Sequence, residues 1–248
     1  MSRTGTGDDA EIEPGGRYFT PRELSRACVV AAGLPLGEGV TIADTSAGSG
    51  SWLDALLWQE LSDERAGGAA GRRTLIALDV DPTAAAVLPG AGPWLRGVHS
   101  WTDDAPPSCW PASGRVDAIV GNPPYSILVP VLDKHGAQRT YGPGHKRAGK
   151  LRYKPREVAT AHVLQDLRRA RVVALVLRLS FLEGERWERY PEMWLRLHEV
   201  HVIDPRASFD GEATDGAVYA LFVWREAPHV GGPQIRRLRY RESKRRKR

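Results

Sequence analysis

Cysteine is scarce in this chain. Cys28 and Cys109 are the two in 248 residues, and they show neither a disulfide framework nor metal-ligand spacing. That excludes a disulfide-stapled secreted module and points to a reducing, cytoplasmic compartment. Long apolar runs are missing as well, so no membrane-spanning helix is expected, and the N-terminus lacks a secretory pattern. The seven histidines are scattered and none is read as a metal pair, so no metal is expected. No internal repeat is present. Acid is absent from one whole stretch: residues 134–156 hold eight Lys/Arg and no Asp/Glu.

What is there divides sharply by charge. Residues 236–248 carry nine basic side chains against the single acid Glu242. With the two basic blocks at +8 each and a formal total of +5, the remainder stands at −11. An acidic body with two basic segments points to a polyanion partner, hence nucleic acid. A hydrophobic content of 42% with eight tryptophans supplies a core of ordinary domain size. Residues 1–16, rich in Gly, Thr and acids, read as a disordered arm. Residues 17–230 read as one domain, with the basic loop 134–156 inserted, and residues 231–248 as a basic tail.

The hydrophobic pattern alternates strands with helices. Helices are expected at 22–32, with Thr20 as N-cap and Pro21 at the first helical position, and at 51–61, 82–88, 156–170 and 187–197. Strands are expected at 40–44, 74–78, 94–99, 116–120, 172–177, 198–203 and 217–224. Such alternation implies an α/β fold with a mostly parallel sheet, and the last two strands imply an antiparallel hairpin at its edge. Ligands of such sheets bind outside the strands' carboxyl ends, where Asp44, Asp79 and Asn122 fall.

Three motifs carry chemistry. Asp44-Thr45-Ser46-Ala47-Gly48-Ser49-Gly50 is a Gly-rich turn from strand to helix, which lets backbone approach a ligand closely and aims a helix N-terminus at an anion. No Gly-Lys-Ser/Thr follows it, which disfavours a phosphate-loop NTPase. Asp79, one strand later, suits ribose hydroxyls. Asn122-Pro123-Pro124-Tyr125 follows a strand. Its prolines fix the backbone and remove two amide donors, leaving a rigid rim of acceptors, the Asn122 side-chain oxygen and backbone carbonyls, beside an aromatic ring. That rim suits a planar amino-bearing group.

Together these residues resemble the class I S-adenosylmethionine-dependent methyltransferases, and within them the adenine-N6 (Asn-Pro-Pro-Tyr) DNA methyltransferases. The resemblance spans roughly residues 17–225. It implies a Rossmann-like α/β fold with a seven-stranded, mostly parallel sheet, an antiparallel edge hairpin and helices on both faces. It also implies S-adenosyl-L-methionine as cofactor. The implied cofactor contacts are Phe19, Thr20 and Pro21 from an aromatic-Thr-Pro motif, Asp44, Ala47, Gly48 and Gly50 from the loop, and Asp79 and Asn122. Ser100 or Asp103 stands where the family places its adenine-binding group.

The implied catalytic run is Asn122, Pro123, Pro124 and Tyr125. Asn122 and the Pro123 carbonyl would accept the two N–H groups of the adenine amine, and Tyr125 would stack on the base. Phe209, in a Ser-Phe loop, would cover its other face or edge. The basic loop, with Arg139, Lys146, Arg147, Lys150, Arg152 and Lys154, would clamp phosphates. The implied reaction is N6-adenine methylation of DNA, with RNA as the alternative target. Protein glutamine methylation shares the motif but usually comes with a helical N-terminal domain, for which 39 residues before the first strand are too few.

Overall fold

The computed structural model describes residues 20–67, 73–79, 94–98, 109–130, 139–140, 153–205, 207 and 217–240, and the backbone alone for 94–98, 126–130 and 153–157. In chain order its elements are α1 (Arg22–Ala32), β1 (Thr41–Asp44), α2 (Ser51–Arg65), β2 (Thr74–Asp79), β3 (Trp94–Val98), β4 (Val116–Gly121), β5 (Ser126–Pro130), β6 (Tyr153–Glu157), α3 (Ala159–Arg169) and β7 (Ala170–Arg178). There follow a 3₁₀ turn (Leu179–Leu182), α4 (Arg186–Arg189), α5 (Pro191–Arg196), β8 (Leu197–Asp204), β9 (Tyr219–Arg225) and β10 (Gln234–Arg239). The described chain forms two units, Pro124–Val158 and a larger one made of Tyr18–Pro123 with Ala159–Arg248.

The larger unit is built on one sheet in the order β10-β8-β9-β7-β4-β1-β2-β3. β9 runs antiparallel to both β7 and β8, and every other pairing in the sheet is parallel. The connection from β1 through α2 steps one way along the sheet, and the return through α3 to β7 steps the other way. Right-handed crossovers therefore place α2 and α3 on opposite faces. α1 packs on α2, and α5 packs on α3 and β9. This is the expected α/β architecture with one addition. β8 and β9 pair as anticipated, but they are not the edge, because β10 lies outside β8.

β10 corrects the reading of residues 231–248 as a tail, since residues 234–239 are a sheet strand. Composition hid it. The arginines dominate the segment, yet Leu238 and Tyr240 are buried and supply the apolar anchor. Two further strands, β5 and β6, pair antiparallel in the smaller unit and set Lys154 opposite Val129. Because β6 takes residues 153–157, the following helix starts at Ala159 rather than at 156. The helix expected at 187–197 is broken at Tyr190. Pro191 cannot donate to the preceding turn, and Tyr190 sits at φ −131°, ψ 70°, outside helical space.

Thr20 is not the cap of α1. Pro21 holds that position, and its carbonyl accepts both the Ser25 amide and the Ser25 hydroxyl at 3.0 Å. The helix expected at 82–88 and the segment 1–16 lie outside the described residues, as do residues 241–248 and most of 134–152.

Two arginines, Arg73 buried and Arg196 half-buried, tie the layers together. Arg73 donates to Glu60 at 2.8 Å, to Gln59 and to the Leu56 carbonyl, fastening the end of α2 to the start of β2. Arg196 donates to the carbonyls of Leu167, Ala170 and Arg225. It thereby satisfies acceptors that the end of α3 leaves without helical partners.

Candidate cofactor and methyl-transfer site

β1 is the turning point of the sheet, with β2 on one side and β4 on the other, which is where an open α/β sheet forms its ligand crevice. It ends at Asp44, in register with Ala77 and Val120. The turn that follows is pinned at each step. Asp44 Oδ1 accepts the Ser46 amide at 3.1 Å, and the Leu78 carbonyl accepts the Ala47 amide at 2.9 Å. Asp79 Oδ2 accepts the Gly48 amide at 2.9 Å. Gly48 (φ 48°) and Gly50 (φ 81°) occupy left-handed conformations that a side chain would strain. Gly50 then opens α2 with no side-chain cap.

β4 brings the second half. Its last residue, Gly121, has φ 156°, and a Cβ there would fall 2.9 Å from Asp44 Oδ1 and 3.0 Å from Ser46 Oγ. Glycine thus lets the Asp44 carboxylate lie directly against the strand end that delivers Asn122. Asn122 is 8% exposed and Pro123 is buried. Pro124 and Tyr125 begin the smaller unit, where the Tyr125 carbonyl accepts the Val158 amide at 3.1 Å.

Two carboxylates dominate the electrostatics. Asp44 is fully buried, and its Oδ2 meets no donor among the described residues. Burial raises its pKa from 3.8 to about 8, the Ser46 amide opposes that shift, and the charges of Asp79 and Asp166 add to it. Asp166, fully buried on α3, accepts the Thr45 hydroxyl at 3.4 Å through Oδ2, while its Oδ1 likewise meets no donor among the described residues. Burial raises it to about 8 too, against the Thr45 hydrogen bond and the Arg169 charge. Buried acceptors without donors are costly, so this crevice is chemically suited to a cationic ligand with hydrogen-bond donors. S-adenosylmethionine is such a ligand, and the residues present fit it. Among the described residues no group of three or more His, Cys, Asp or Glu is arranged to hold a metal ion. Among them, too, no helix is long and apolar enough to cross a membrane.

Asp44, Ala47, Gly48, Gly50, Asp79 and Asn122 therefore meet along the ends of β1, β2 and β4. Thr20 and Pro21 stand at the start of α1, Arg139 is exposed, and Lys154 lies on β6. Phe19, Ser100, Lys146, Arg147, Lys150, Arg152 and Phe209 lie outside the described residues. Sequence reasoning missed Gly121, Thr45 and Asp166. Asp166 did leave a signal. It shares the buried stripe of α3 with His162, Val163 and Leu167, where an acid is out of place.

No protein-family model matches the chain, and no curated protein does. Solved structures do match in fold. A Listeria monocytogenes protein assigned to the class I S-adenosylmethionine-dependent methyltransferases superposes with TM-score 0.56 at 9% identity, covering 89% of this chain and 65% of that one. The M protein of the type I restriction enzyme EcoKI gives 0.58 at 16%, covering 90% and 48%. A Pyrococcus horikoshii protein assigned as an RNA methyltransferase gives 0.52 at 15%, covering 89% and 91%. This chain thus spans less than two thirds of the first two. The fold is that of the class I S-adenosylmethionine-dependent methyltransferases.

Proposed function

We propose that this chain transfers a methyl group from S-adenosyl-L-methionine to the N6 amino group of adenine in DNA. The observation that supports this most is the meeting of the Asp44 loop, Asp79 and Asn122 on three neighbouring strand ends. Bound cofactor supplies an electrophilic methyl on a cationic sulfur. Asp79 accepts hydrogen bonds from its ribose hydroxyls, and the loop from Asp44 to Gly50 cradles its amino-acid end at the start of α2. Phe19, Thr20 and Pro21 line the cofactor from the N-terminal side, and Ser100 contacts its adenine.

The adenine amine is a poor nucleophile because its lone pair is delocalised into the ring. The Asn122 side-chain oxygen and the Pro123 carbonyl accept its two N–H groups, favour a more tetrahedral nitrogen and aim it at the methyl. The rate gain comes from positioning and preorganised acceptors rather than a strong base. Tyr125 stacks on the base, which contributes about 1–3 kcal/mol, and Phe209 covers the opposite face or edge. A base in duplex must first leave the helix, at a cost of a few kcal/mol. The basic residues Arg139, Lys146, Arg147, Lys150, Arg152 and Lys154 hold phosphates.

RNA is the second reading, favoured by the Pyrococcus neighbour matched over 91% of its length. Labelled S-adenosylmethionine supplied with DNA, RNA and protein pools separates the two. N6-methyladenine in digested DNA is the expected product. Label found only in RNA nucleosides moves the target to RNA, and label in glutamine or in no pool overturns the proposal.

A further inference from the structure

We infer that Asp166, acting through the Thr45 hydroxyl, is a positioning residue that holds the Asp44 turn ready for the ammonium group of the cofactor's amino-acid end. The inference rests on the methyltransferase reading of the site. Three observations carry it. Asp166 and Asp44 are both fully buried, and each keeps one carboxylate oxygen with no donor among the described residues. Asp166 reaches the site by one hydrogen bond, its Oδ2 accepting from Thr45 Oγ1 at 3.4 Å. Thr45 is the residue next to Asp44, whose own Oδ1 is fixed by the Ser46 amide and pressed against Gly121.

An acid on the buried stripe of a helix is a poor structural choice, because a carboxylate left short of donors costs more than a packed apolar side chain. Its placement makes sense if a ligand supplies the missing donors and the opposite charge. The ionisable groups around Asp44 are Asp79 from β2 and Asp166 from α3, and Arg169 of α3 acts on Asp166. Without ligand both buried carboxyls hold protons at neutral pH, with pKa values of about 8. A bound cation favours the ionised form of Asp44, so cofactor affinity rises as pH rises through that range. Over the range where Asp166 ionises, a neutral residue in its place removes one of the two like charges that raise Asp44, so the midpoint moves down.

The test is calorimetric titration of the full chain with S-adenosylmethionine between pH 6 and 9, for wild type, Thr45→Val, Thr45→Ser and Asp166→Asn. The cofactor's own amino group titrates alike against each variant, so differences between proteins report the site. Thr45→Val keeps the shape and deletes the donor, and it should weaken binding about 3- to 10-fold, the worth of one hydrogen bond. It should raise KM for the cofactor with kcat unchanged, and Thr45→Ser should restore both. Asp166→Asn keeps an acceptor for Thr45 and should shift the affinity midpoint to lower pH.

Carboxyl-carbon NMR of Asp44, with no cofactor present, should show the same downward shift in Asp166→Asn. Unchanged affinity in Thr45→Val together with an unmoved Asp44 titration in Asp166→Asn overturns the inference. If the Asp44 titration shifts while wild type binds no cofactor, the Asp166–Asp44 coupling stands and the methyltransferase reading falls.

Discussion

Asp79 Oδ2 accepts the backbone amide of Gly48 at 2.9 Å, so the acid at the end of β2 is also the anchor of the glycine turn after β1. The residue proposed to hold the ribose thus also shapes the loop that receives the rest of the cofactor. A single substitution strikes both functions.

Asp79→Ala should therefore weaken S-adenosylmethionine binding by roughly 10- to 150-fold, the range for one hydrogen bond to a charged group. Asp79→Asn keeps an acceptor for Gly48 and should lose less. Calorimetric titration of both variants decides the matter. Equal affinity for wild type and Asp79→Ala removes the ribose assignment.

Gly121→Ala should be disproportionately harmful for one methyl group. Its Cβ would sit 2.9 Å from a carboxylate oxygen that burial holds in place. Overpacking of this kind costs about 1–3 kcal/mol, which corresponds to a fall in Tm of at least about 2 °C. Because the displaced group is Asp44, cofactor affinity should fall in parallel, and a thermal melt with and without S-adenosylmethionine reads both.

The ligand-free protein should lose stability as pH rises. Asp44 and Asp166 have carboxyls raised from 3.8 to about 8 in the fold, so the folded state binds protons more tightly than the unfolded state. Their stabilising contribution is complete below pH 3.8 and is lost as pH climbs through 8. Asp44→Asn should flatten the dependence of Tm on pH over that window and weaken cofactor binding. A melt series from about pH 5 to 9 in which the variant tracks wild type contradicts the assignment.

Asn122→Ala should reduce transfer at least about 100-fold, the scale for removing one preorganised hydrogen-bonding group from the reaction centre. Cofactor affinity should change far less. Undiminished turnover with saturating cofactor sinks the proposed role of the amide oxygen.

Replacing Lys146, Arg147, Lys150 and Arg152 with Gln should lower nucleic-acid affinity. The slope of log affinity against log salt should drop by about 0.9 for each phosphate that the variant no longer neutralises. Filter binding at several salt concentrations measures it, and an unchanged slope excludes these residues as the clamp.

The strand ends at Asp44, Asp79 and Asn122 were legible because each follows an apolar run and each breaks it with a polar residue or a glycine turn. The sheet was legible for the same reason. What escaped was decided by partners distant in sequence. Asp166 lies 121 residues from Thr45, and no local pattern announces their hydrogen bond. Gly121 read as the end of a strand, while the carboxylate that forbids a side chain there comes from β1. β10 escaped because charge masked two buried apolar positions, and α5 starts afresh because one proline outweighs the surrounding helical periodicity.

β10 is the outermost described strand on its side of the sheet. Three of its six residues are Arg236, Arg237 and Arg239, and all three are exposed. An open strand edge is a template on which other chains can stack into aggregates. Arg236 and Arg237 pair with Glu199 and Asp204 of β8, so this edge strand carries charged, ion-paired side chains, which make it a poor template. Among the described residues the sheet thus ends on a strand whose charged side chains discourage a further one.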